Sequence, residues 1–171
     1  MTSIDIQLSI PLKKELDASS AIENANKGIG IGDERWRMLW HDPMRKDHIQ
    51  DVQELADIVK QNCVNFLVLG IGGSALGAKA LHSALGNNTK NFFVLDNIDP
   101  YTVQRTIDAI SASDPTFEQT VVAVISKSGE TAEITALLMI IEQSMKNATF
   151  IAITGANGTL RDYATTKGWP T

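Results

Sequence analysis

The chain has 171 residues, with 15 Lys and Arg against 20 Asp and Glu for a net charge of −5, and 43% hydrophobic residues. That length fits one domain plus an extension, and acidity without any block of like charge leaves no footprint for nucleic acid or an anionic membrane. The single cysteine, Cys63, excludes an internal disulfide and a multi-cysteine zinc site; "MTSIDIQLSI" lacks a signal peptide's basic and apolar regions, and "ALLMII" is too short to span a bilayer, so a cytoplasmic protein is expected.

Residues 3–10 alternate, with Ile4, Ile6, Leu8 and Ile10 on one side and Asp5, Gln7 and Ser9 on the other. That pattern predicts a half-buried strand ended by Pro11. From Lys13 to Pro43 the pattern is irregular. "GIGIG" (Gly28–Gly32) has no strand before it and reads as a flexible turn, while Trp36 and Trp40 are spaced to share a helix face and pack. From residue 48 the chain becomes regular. Val52, Leu55, Ala56, Val59 and Cys63 form the stripe of an amphipathic helix, with Cys63 read as a small buried hydrophobe.

Four apolar runs then alternate with helical stretches. "NFLVLG" (65–70) precedes a helix from about Ser74 to Leu85, and "NFFVLD" (91–96) one from about Tyr101 to Ile110. "TVVAVIS" (120–126) precedes a helix from about Gly129 to Gln143, and "ATFIAIT" (148–154) one from about Gly158 to Thr166. Strands without polar alternation are buried on both faces, as parallel strands are when helices cover them. The expected fold is therefore α/β, a three-layer αβα sandwich with a parallel sheet, flavodoxin-like, with residues 1–47 an extension and 48–171 the domain. "KGWPT" stops where a further strand would begin, so the chain is expected to be a fragment or a single-domain piece of a longer one.

Ligands of an open parallel sheet bind beyond the carboxyl ends of its strands, where helix starts offer unpaired N–H groups. Three loops belong to that edge: "GIGGS" (70–74), "SKSGET" (126–131) and "TGANG" (154–158). The first fails as a Walker loop, because Ala78 follows Gly77 and Lys79 is displaced by one. It fits a permissive dinucleotide fingerprint through Gly70, Gly72 and Ala75, with Asp96 available for ribose hydroxyls. Ser74 can cap the helix or donate its hydroxyl. The second loop brings three hydroxyls (Ser126, Ser128, Thr131), a cation (Lys127) and a turn glycine (Gly129), a nest for a terminal phosphate. The plainer alternative is that Ser128 only caps a helix. Asn157-Gly158 of the third loop is a common turn, and Thr154 a cap for it.

"GIGGSALGAKA" and "VISKSGETAE", about fifty residues apart, resemble the first sugar-isomerase (SIS) domain of the glucose-6-phosphate isomerase family. The likeness covers residues 48–171 and, more loosely, the W-x-D-P of Trp40 to Pro43. It implies that Gly73 and Ser74 touch the sugar while Ser126, Lys127, Ser128, Gly129, Glu130 and Thr131 hold its phosphate, with Gly72 also part of the substrate-binding set. Glu130 stands where bacterial members often carry threonine or glycine; its carboxylate must point away from the phosphate or be offset by Lys127. The resemblance also implies interconversion of glucose 6-phosphate and fructose 6-phosphate through a cis-enediol, without metal or redox cofactor, by a homodimer at full length. The family's base glutamate, ring-opening histidine, late lysine and G-G-R signature belong to later segments, so no catalytic residue is assigned in this chain. Packing or surface roles are expected for His41, His48 and His82. A stand-alone phosphosugar-sensing SIS module is the main alternative, and a dinucleotide domain of an oxidoreductase a weaker one.

Overall fold

The computed structural model describes residues 45–86 and 90–171, together with Ser19, Ile22, Glu23 and Lys27. The strand expected over 3–10, the Gly28–Gly32 turn, Trp36 and the W-x-D-P stretch lie outside the described residues. The chain divides into two compact units, Met1–Gln53 and Glu54–Thr171. Helix α1 (Arg45–Asn62) starts in the first. The second contains β1 (Asn65–Leu69), α2 (Gly73–Leu85), β2 (Asn91–Leu95), α3 (Pro100–Ser113), β3 (Thr120–Ser126), α4 (Ala132–Ser144), β4 (Thr149–Thr154) and α5 (Thr159–Lys167).

The strands form one parallel sheet in the order β2-β1-β3-β4. Alternation then sorts their side chains to two faces. On one face Leu67, Leu69, Leu95, Val122, Val124, Phe150 and Ala152 join residues of α3, α4 and α5 in the main core. On the other, Val121 and Ile151 pack with Cys63, Phe66 and the α1 residues Leu55 and Val59. Helix α2 covers this second face too, since His82 stacks at 4.3 Å on Phe92, the register neighbour of Phe66. The three-layer expectation therefore holds, and His82 has the packing role assigned to it.

Three expectations are corrected. Burial on both faces applies to the central strands; edge strand β2 is only half-buried over Phe92–Val94, and Ile153 of β4 is 54% exposed. Among the described residues the edge strands have a strand neighbour on one side only, so helices cover them incompletely. Val52 of the α1 stripe is exposed, and burial along that helix starts with Leu55. Helix α4 begins at Ala132 and not near Gly129, because Gly129 adopts φ +71, outside helical geometry. Other boundaries follow local chemistry. Asp99 caps α3 through Thr102 N at 2.8 Å with Pro100 in its first turn, and Gly168 ends α5 in the left-handed region.

Candidate functional site

Central strands β1 and β3 are neighbours, but their helices leave toward opposite faces: α2 to the side of Phe66, α4 to the side of Val124. The chain therefore parts between these strands at the carboxyl edge of the sheet. This is the topological switch point at which open α/β sheets bind ligands. Residues 70–72 follow β1 there and residues 127–131 follow β3.

A concavity of about 600 Å³ occupies this edge. Ile71, Gly73 and Ser74 line it from the first loop, Ile125 and Lys127 from the second, and Ile153, Thr154 and Gly155 from the third. Its lining joins the apolar side chains of Ile71, Ile125 and Ile153 to the hydroxyl residues Ser74 and Thr154, a mixture suited to a small polar ligand. Lys127 is the one cation among the described lining residues, and none of them is a carboxylate or a histidine. In a chain of net charge −5, attraction for an anion is local here.

The first loop depends on its glycines. Gly72 has φ +58 and ψ −124, which a side chain resists, and a Cβ on Gly70 would lie 2.8 Å from the Ser74 carbonyl oxygen. Gly72 also takes the N-cap position of α2, without any side-chain cap. Ser74 lies inside the helix, so of its two sequence roles the cap is excluded and the hydroxyl donor remains.

The second loop curls on its own hydroxyls. Buried Ser126 accepts from Gly129 N through Oγ at 3.1 Å and shares a bond with Thr131 Oγ1 at 3.1 Å. Ser128 Oγ accepts from Glu130 N at 3.2 Å. The N-cap of α4 is Thr131, again without a side-chain cap bond. Ser128 therefore does not cap α4, which removes the plainer reading of that serine. Lys127, Ser128 and Glu130 are exposed, whereas Ser126 and Gly129 are buried. Of the nine residues singled out in sequence, Gly73, Ser74 and Lys127 share the concavity; Gly72, Ser128 and Glu130 belong to the same two loops, and Ser126, Gly129 and Thr131 line a second cavity behind the second loop instead.

The third loop matters more than its sequence suggested. Gly155 N donates to the Lys127 carbonyl at 3.2 Å, and Leu160 N to the Gly129 carbonyl at 3.1 Å. Added Cβ atoms would lie 2.9 Å from Lys127 O at Gly155 and 2.5 Å from Ser128 O at Gly158. Arg161 ties the loop from behind, donating to the Gly155 carbonyl at 3.1 Å and the Thr154 carbonyl at 3.3 Å. The glycines were legible as a turn; that they press against the second loop was not, because the contact joins two crossovers.

Behind the second loop a separate cavity of about 230 Å³ runs between α4 and α5, bordered by Ile134, Leu138, Leu160 and Tyr163. At its outer end Glu142 accepts from Tyr163 Oη at 2.5 Å and Lys167 Nζ at 2.7 Å. Burial pushes the Glu142 carboxyl up, but the bonds from Lys167 and Tyr163 outweigh it and hold the group below its ordinary value. Tyr163 and Lys167 are raised by their bonds to Glu142. This cluster braces α4 against α5. Asp96, a candidate for ribose in the dinucleotide reading, is instead paired with Lys79 at 2.5 Å. Among the described residues no group of acidic, histidine or cysteine side chains is arranged to hold a metal, and no helix is long and apolar enough to cross a membrane.

The family model described as phosphoglucose isomerase matches residues 42–158. A probable glucose-6-phosphate isomerase of Haloquadratum walsbyi is 39% identical over 111 residues, covering 61% of this chain and 25% of the relative. The glucose-6-phosphate isomerase of Prochlorococcus marinus strain MIT 9515 is 35% identical over 145 residues, covering 75% of this chain and 27% of the relative. Among solved structures, a glucose-6-phosphate isomerase from Chlamydia trachomatis superposes with TM-score 0.62 at 27% identity, over 78% of this chain and 26% of that one. The chain thus spans about a quarter of the length of the curated relatives it matches.

Proposed function

The chain belongs to the phosphoglucose isomerase family, and from that premise we propose that it is the phosphosugar-binding part of a glucose-6-phosphate isomerase. The observation that carries the reading is the concavity at the β1/β3 switch point, where the glycine turn of 70–74 faces the hydroxyl loop of 126–131. In this reading the phosphate sits on the second loop. Lys127 supplies charge, Ser128 and Thr131 supply hydroxyls, and the uncapped start of α4 supplies N–H groups. Buried Ser126 and Gly129 shape the loop from within. Glu130 turns its carboxylate away from the phosphate. The sugar extends toward Gly72, Gly73 and Ser74, where backbone close approach leaves room for its hydroxyls.

Proton transfer between C1 and C2 needs a base within hydrogen-bond reach of the carbon's proton. The lining residues present no carboxylate or imidazole, and Glu130 of the second loop and Glu133 in the first turn of α4 belong to the phosphate end. The chain is therefore assigned binding and orientation, and the reacting groups come from the rest of a family-length protein. The homodimer, the cytoplasmic location and the division into residues 1–47 and 48–171 belong to the same proposal. Calorimetric titration of the chain with glucose 6-phosphate and, separately, NAD tests it. Saturable glucose 6-phosphate binding is expected; saturable NAD binding with no phosphosugar response sinks the reading.

A further inference from the structure

Ser126 and Thr154 are partners on the last rung between β3 and β4. Their side chains leave the same face of the sheet, separated by about one strand spacing, ~4.8 Å. The two hydroxyls differ in their company. Ser126 Oγ is engaged by Gly129 N and Thr131 Oγ1. Thr154 Oγ1 is buried and has no hydrogen-bond partner among the described residues. A buried hydroxyl left unpaired costs folding free energy, and native proteins keep such groups for a reason. This one stands against the second loop: a Cβ on Gly129 would lie 3.2 Å from it.

We propose that Thr154 is a positioning residue for the 126–131 loop, making its hydrogen bond only when that loop holds an oxyanion. The inference rests on the phosphosugar reading above. When Thr131 turns its hydroxyl to the anion, Ser126 Oγ loses a partner inside a buried site. Its neighbour on the rung, Thr154 Oγ1, then takes Thr131's place. Each hydroxyl carries one proton and two lone pairs, so the exchange needs no other group. The bond is absent from the arrangement described here and present in the anion-bound one. It therefore favours the bound arrangement of the loop and adds to affinity without adding to the stability of the free fold.

The test uses Thr154→Val and Thr154→Ser in the full 171-residue chain, with urea denaturation and calorimetry against glucose 6-phosphate and inorganic phosphate. Thr154→Val should be at least as stable as wild type, because an isosteric apolar group replaces an unpaired hydroxyl. It should nevertheless bind both ligands about threefold to tenfold more weakly, the range for one neutral hydrogen bond. Thr154→Ser should restore affinity. Unchanged affinity in Thr154→Val, a loss of stability in step with affinity, or a loss confined to the sugar phosphate overturns the inference while leaving the phosphosugar reading intact. Wild-type chain that binds neither ligand overturns that reading, and this inference with it.

Discussion

Gly158→Ala probes how the third loop supports the second. Gly158 has φ +116 and ψ 164, a region occupied almost only by glycine, and forcing another residue there costs about 1–3 kcal/mol. Its added Cβ would lie 2.5 Å from the Ser128 carbonyl oxygen, and overpacking of that kind costs about 1–3 kcal/mol more. The carbonyl belongs to backbone, so no flexible side chain can swing aside. The sum is a loss of about 2–6 kcal/mol, a large share of the stability of an ordinary domain. Urea denaturation should show a lower midpoint with an unchanged slope, and calorimetry a weaker response to glucose 6-phosphate as Ser128 is displaced. Gly77→Ala is the control. A Cβ there meets nothing within 4 Å inside helix α2, so it should raise stability by about 0.5–1 kcal/mol. Gly158→Ala within about 0.5 kcal/mol of wild type would refute the reasoning, since both of its cost terms exceed that margin.

Ser128→Ala should weaken phosphosugar binding by about 1.5–3 kcal/mol, the value of a hydrogen bond to a charged group. It should leave stability nearly unchanged because Ser128 does not cap α4; an unaltered affinity by calorimetry contradicts the assignment. Glu142, with its folded pKa lowered, contributes stability that is full above the ordinary glutamate range and lost as pH falls through the folded value. Tyr163 and Lys167, with theirs raised, contribute stability that is full below their ordinary values and lost as pH rises through the folded ones. Glu142→Gln should therefore flatten both limbs of the stability–pH profile measured by thermal melting, and an unchanged profile excludes the cluster as a brace. The chain alone should show no turnover in a coupled fructose 6-phosphate assay at high protein concentration; activity lost on Glu130→Gln would mean that the base has been misplaced. Burial pushes the Cys63 thiol up against the smaller opposing effect of Lys90, and Sγ donates to the Asn65 carbonyl at 3.0 Å. A thiol reagent should label it only as fast as the domain opens, and rapid labelling of folded protein would contradict that burial.

The sequence by itself determined the order and kind of the elements. Runs such as "TVVAVIS" and "NFLVLG" are apolar without alternation, which suits strands covered on both faces, and the stripe through Ile134, Leu137, Leu138 and Ile141 suits a helix on one of them. The two anion-type loops were also legible, because glycine turns and clustered hydroxyls are local patterns. Tertiary structure alone decided the rest. Whether Ser128 caps a helix depended on where α4 begins, which the positive φ of Gly129 moved to Ala132. The exposure of Ile153 depended on the place of β4 at the edge of the described sheet. The part played by Thr154, Gly155 and Gly158 depended on two crossovers meeting at adjacent strand ends. A turn glycine and a glycine that lets two backbones touch are the same letter in sequence, and only the contact across about thirty residues of chain separates them.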